Sequence, residues 1–92
     1  MLKQFGFKFF VNKSRVTGKE FAKHHLRRKL SLAEVEACME LIRYRLFCIY
    51  TGKVTLQFDN ERQLFYTEID DYNLRVLYSI DDEVCSLHDV EF

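Results

Sequence analysis

Three histidines, three cysteines and two pairs of adjacent acids are the residues of this 92-residue sequence with the most direct chemistry. His24 and His25 are neighbours. On a helix their side chains diverge by about 100°, so they do not easily share a metal. The one metal arrangement left combines one of them with His88 and a cysteine, and no pair in that set has ligand spacing. The plain reading packs His25 against a sheet and leaves His24 on a solvated helix face. Cys38, Cys48 and Cys85 are an odd number without short spacing, so a disulfide framework is not expected. Asp70-Asp71 and Asp81-Asp82 could pair for acid–base work, but adjacent acids of this kind are ordinary turn chemistry, and calcium needs more ligands at set spacing. Only Gly6, Gly18 and Gly52 are present, too few for a phosphate-cradling loop. No serine sits in a Gly-x-Ser-x-Gly turn. No catalytic residue, metal or cofactor is expected.

Charge carries more information. Residues 1–53 hold twelve Lys/Arg against four Asp/Glu and residues 54–92 hold two against ten, so a net charge of zero hides halves of +8 and −8. Lys19, Lys23 and Arg27 lie at i, i+4, i+8, with Arg28 adjoining and Arg43 and Arg45 further on. These six form the candidate basic partner-binding face. Such a row can line a phosphate backbone or meet an acidic protein, and no interleaved aromatic residue offers a platform for bases. Asp59, Glu61, Asp70, Asp71, Asp81, Asp82 and Glu83 form the candidate acidic rim. It can compete for the basic nucleic-acid channel of another protein, or keep an aromatic-rich sheet soluble and its edges unpaired. Opposite halves could also pair between two copies, as a homodimer.

The elements that must position these charges follow from periodicity. Hydrophobic residues at 48% and charged residues at 30% describe one globular domain over residues 1–92. Phe5, Phe7, Phe9 and Val11 alternate as a strand, followed by a polar turn at 12–15. Thr17 with Glu20, and Ser31 with Glu34, are capping boxes that open helices over about 18–30 and 32–50. In the second, Leu32, Val35, Met39, Ile42, Leu46 and Ile49 recur at helical spacing, and Gly52 is placed to cap its end. From Val54 the period becomes two. Strands near 54–58, 64–69, 74–80 and 84–90, joined by short acidic turns, make an antiparallel meander. The expected fold is α+β, two helices on a mostly antiparallel sheet, in the order β-α-α-β-β-β-β. No apolar run of about 18 residues exists to span a membrane, and residues 1–11 lack the basic and apolar regions of a secretory signal. The expected compartment is the reducing cytoplasm.

Leu74-Arg75-Val76-Leu77-Tyr78-Ser79-Ile80-Asp81-Asp82-Glu83-Val84 resembles the penultimate hairpin of RelE/ParE-type toxins, with its Tyr-Arg-Val-x-Tyr-x-Ile pattern. The strand-helix-helix-sheet order is similar as well. The resemblance implies a ribonuclease acting on ribosome-bound messenger RNA through basic and aromatic residues, here Arg75 and Tyr78 with Arg27 and Arg28. His24, His25 or His88 would supply the proton acceptor such a reaction needs. The chain departs from the family in its acidic sheet, and in Asp89 and Glu91 where a basic C-terminus is expected. Its size, aromatic richness and lack of proline look more like accessory proteins of phages and mobile elements. The leading expectation is therefore a non-enzymatic interaction protein. Its specific form is an inhibitor of a host nucleic-acid-handling complex, of anti-CRISPR or anti-restriction type. The ribonuclease toxin and a basic-helix nucleic-acid binder are the alternatives.

Overall fold

Two capping boxes set where the helices of this protein begin. The computed structural model describes residues 5–92, and Lys3 of the basic half lies outside them. Helix α1 runs Gly18–His25: the Thr17 hydroxyl accepts the Glu20 N–H, and the Glu20 carboxylate reaches back to the Thr17 N–H. Helix α2 runs Leu32–Tyr50 behind the same reciprocal pair, Ser31 and Glu34. Each box satisfies two N–H groups that a helix start leaves without partners, worth about 1 kcal/mol. The Ser31 N–H also holds the Glu34 carboxyl below its ordinary range. Helix α2 ends in a Schellman motif. Gly52 takes φ +81 and its N–H reaches the Ile49 carbonyl, while the Lys53 N–H reaches that of Cys48.

Helix α1 is shorter than its hydrophobic pattern predicts. It stops at His25, and residues 26–29 form a turn in which the N–H groups of Leu26 and Arg27 both bond the Ala22 carbonyl. The competing cap at Ser31 requires extended backbone at that residue, so the preceding segment cannot stay helical.

Six strands form one mixed sheet in the order β2-β1-β6-β5-β4-β3. They are β1 Gly6–Val11, β2 Ser14–Val16, β3 Gln57–Asp59, β4 Leu64–Ile69, β5 Leu74–Asp81 and β6 Val84–Glu91. The α+β class and the antiparallel meander β3-β4-β5-β6 are present. Two features correct the expected order. Residues 14–16 are a strand, because Asn12 and Lys13 both adopt positive φ and fold β2 back onto β1 as a two-residue hairpin. And β1 pairs with β6 in parallel, which makes the sheet mixed. The strand expected from Val54 begins only at Gln57; Val54 packs on the core instead. No helix among the described residues is long and apolar enough to cross a membrane.

The core lies between α2 and one sheet face. Ile42 and Leu46 of α2, Val76 and Tyr78 of β5, and Cys85 and Leu87 of β6 are fully buried there. Phe21 of α1 joins them, 5.4 Å from the Phe9 ring. Along β6 the alternation breaks once. Leu77 pairs with Asp89 and Tyr78 with Leu87, so His88 is an extra, bulged residue. The bulge hands the next core position to Val90 and leaves Asp89 outside.

Candidate functional site

Lys19 and Lys23 fall in one row because α1 repeats every 3.6 residues, and Arg27 continues the row from the turn that follows. The row forms one wall of a groove between the helices, with a volume of about 690 Å³. Ala22, Val35 and Met39 are its apolar floor, and Leu32 stands at its mouth, 70% exposed. The α2 wall carries Glu36, Glu40 and Arg43. Arg43 bends toward β1, its guanidinium carbon 5.9 Å from the Phe9 ring centre. This approach depends on Gly18, where an added Cβ would sit 3.2 Å from Phe9. Four of the six predicted basic residues therefore meet at one apolar-floored groove.

The other two are elsewhere. Arg45 points inward, and its Nε donates to the buried Thr67 hydroxyl at 2.9 Å. That corrects its place on an outer basic face: its position on α2 aims it at β4. Arg28 lies past the end of α1 and donates to the Val90 carbonyl at 3.3 Å.

The predicted acids sit at both ends of the meander. Asp59 and Glu61 lie at the β3–β4 turn and Asp81, Asp82 and Glu83 at the β5–β6 turn, while Asp70 and Asp71 form a 3₁₀ turn between β4 and β5. Asp59 is a turn-former: its Oδ1 accepts the N–H groups of Glu61 and Arg62 at 2.9 and 3.1 Å. Arg62 bonds Asp59 and crosses the outer sheet face to Glu91, which raises the Arg62 pKa.

A second feature gathers titratable groups. All three histidines line one cleft of about 400 Å³ at the end of α1, together with Asn12, Lys13, Arg28, Leu64 and Asp89. His25 is buried. Its Nε2 is 3.2 Å from the Phe10 carbonyl and its Nδ1 is 3.4 Å from an Asp89 carboxylate oxygen. Burial lowers the His25 pKa, opposed by that carbonyl and by Asp89. His88 stacks on Phe10 and its Nε2 lies 2.9 Å from the Ser79 hydroxyl; burial lowers its pKa too. The adjacency of His24 and His25 was visible in the sequence, but His88 arrives through the β6 bulge, which no local pattern announces.

No family model, curated protein or solved structure matches the chain.

Of the residues named with the toxin resemblance, Arg28 and the three histidines share the cleft at the end of α1, while Arg75 and Tyr78 lie elsewhere. Arg75 lies on the outer sheet face, bonded to Glu68 at 2.9 Å and over the Tyr66 ring at 4.2 Å. Tyr78 faces the core, fully buried, and burial pushes its phenol up to about 12. Cys38 and Cys85 are buried thiols, pushed up to about 11 and about 12 by burial, so neither is a ready nucleophile. Among the described residues no group of three or more His, Cys, Asp or Glu side chains is placed to hold a metal ion.

Proposed function

We propose that this chain is a non-enzymatic protein-interaction module whose α1–α2 groove receives an amphipathic helix of its partner. The observation that carries this reading is the groove itself: an apolar floor of Ala22, Val35 and Met39 under a wall of Lys19, Lys23 and Arg27. A helix docks in such a groove by inserting residues at i, i+3, i+4 and i+7. The basic α1 wall selects acidic residues along one edge of that helix. Glu36 and Glu40 on the opposite wall disfavour acids along the other edge, so the charges set the direction in which it lies. A free duplex or single strand has less use for the floor, which offers apolar contact where nucleic acid presents phosphate.

The finer reading is an inhibitor of phage or mobile-element origin acting on a host nucleic-acid-handling complex in the cytoplasm. Two arrangements support it: a basic groove that can hold the partner, and acidic turns at both ends of the meander that can occupy a channel meant for phosphates. The ribonuclease alternative has less support, since Arg75 and Tyr78 face opposite sides of β5.

The test uses two designed helical peptides with the same leucine ridge, one edged by Glu and one by Lys, in fluorescence anisotropy. The Glu-edged peptide should bind at least tenfold more tightly at 0.1 M salt, where the Debye length is about 10 Å. The preference should fade at 1 M, where it is about 3 Å. Equal binding of the two peptides, or a preference for Lys, would refute the reading.

A further inference from the structure

We infer that the cleft at the end of α1 is a second, separate site, which binds a phosphate monoester through Arg28 and Lys13, with the three histidines lining it. Its parts come from three distant segments: Lys13 from the β1–β2 turn, His24, His25 and Arg28 from the end of α1, and His88 from the β6 bulge.

The cleft is also preorganised. Arg28 is anchored by one Nη2 contact to the Val90 carbonyl, which leaves most of its five N–H donors for an anion. Lys13 is held at φ +70 in the hairpin turn. The one carboxylate, Asp89, is already engaged: its Oδ1 accepts the Val90 N–H at 2.8 Å and faces His25 Nδ1. Both ring nitrogens of His25 thus face acceptors, the Phe10 carbonyl and Asp89, an arrangement satisfied in full only by the imidazolium.

Charge selects the ligand class. With neutral histidines, Lys13 and Arg28 less Asp89 leave the cleft at +1. Each protonated ring, among His24, His25 and His88, adds one more. A monoester dianion matches that range, and its approach supplies the counter-charge that burial denies to His25 and His88. A volume of about 400 Å³ has room for the phosphate and a small organic portion against Leu64.

The experiment is an NMR titration of the intact chain with inorganic phosphate, adenosine 5′-monophosphate and, as a control, sodium chloride at matched ionic strength. Millimolar phosphate and the nucleotide should each shift the Lys13, Arg28 and His88 resonances and raise the titration midpoints of the His25 and His88 rings; chloride should do neither. Arg28→Gln and Lys13→Gln should each weaken phosphate binding at least tenfold with an unchanged amide spectrum elsewhere. Asp89→Asn should strengthen it at pH 7.5, a sign opposite to that expected of mere structural damage. Nucleotide binding without free phosphate binding would place recognition on the base and overturn the inference. So would the absence of any shift, or shifts equal to those with chloride. Failure here leaves the groove untouched, because its residues Lys19, Lys23 and Met39 lie outside this cleft.

Discussion

Two cationic rows, carried by α1 and the turn that follows it, meet different surroundings. Lys19, Lys23 and Arg27 line an open groove, and among the described residues no ion pair holds them. His24, His25 and Arg28, one step further round, line a cleft in which His25 faces the Phe10 carbonyl and Asp89 and Arg28 donates to the Val90 carbonyl. The first row is long, flexible and hydrated, suited to steering and orienting a partner. The second has the buried His25 at its centre with His24 and Arg28 exposed beside it, suited to a small ligand of defined geometry. The first row is two lysines and an arginine, +3, and the second is two histidines and an arginine, +1 with neutral rings. A further difference is that His25 and Arg28 are tied to the distant strands β1 and β6, whereas Arg27 bonds the nearby Leu30 carbonyl.

The largest effect should come from a change that damages both rows at once. Phe21 is fully buried beside Phe9 and 4.5 Å from the His25 ring. Phe21→Ala should cost about 3–5 kcal/mol in urea unfolding. A cost below about 1 kcal/mol would mean that α1 is not seated on this core.

Next, the rows should separate. The triple change Lys19→Glu, Lys23→Glu, Arg27→Glu should reduce binding of the Glu-edged peptide by roughly 100-fold, near 3 kcal/mol. Phosphate binding at the histidine cleft should change by less than threefold. Equal loss at both sites would break the comparison and point to a single diffuse field.

A smaller effect tests the core between them. Among the described residues the Tyr78 hydroxyl is buried without a hydrogen-bond partner. Tyr78→Phe should therefore raise stability by about 1 kcal/mol in urea unfolding, since it removes an unsatisfied polar group. A loss of similar size would show that the hydroxyl has a functional or structural partner.

The smallest effect is on pH dependence. His25 and His88 both have folded-state pKa values below the ordinary 6.5 of a histidine. The unfolded chain then binds more protons near that value, so stability is fully present above it and falls as pH drops through the folded values. The melting temperature should decline between pH 7.5 and 5.5, and less steeply with phosphate present. A melting temperature that rises on acidification would contradict the burial of these rings.

Much of this arrangement was legible locally. The pairs Thr17/Glu20 and Ser31/Glu34 marked both helix starts, and the Leu32-to-Ile49 spacing with Gly52 marked the full length of α2. The row at 19, 23 and 27 followed from helical period alone. The end of α1 was less clear, because no glycine or proline stops it and the Ser31 cap does so from a distance. Strand β2 was hidden because Ser14-Arg15-Val16 has no apolar alternation and is a strand only by pairing with β1. The parallel β1–β6 contact joins the two ends of the chain, and no local pattern encodes it. Arg45 was assigned outward from charge alone, although its register on α2 turns it to Thr67. The histidine cleft needed both that long-range pairing and the bulge at His88, so it could not be read from spacing.

The central claim is that the α1–α2 groove, rather than the acidic sheet, is where a helical partner sits. An amide chemical-shift map of the Glu-edged peptide on the isotope-labelled chain tests it most directly. Perturbations should centre on Ala22, Lys23, Val35, Met39 and Arg43, with β4 and β5 unaffected. Perturbations centred on the sheet, with Val35 and Met39 unmoved at saturating peptide, would contradict it.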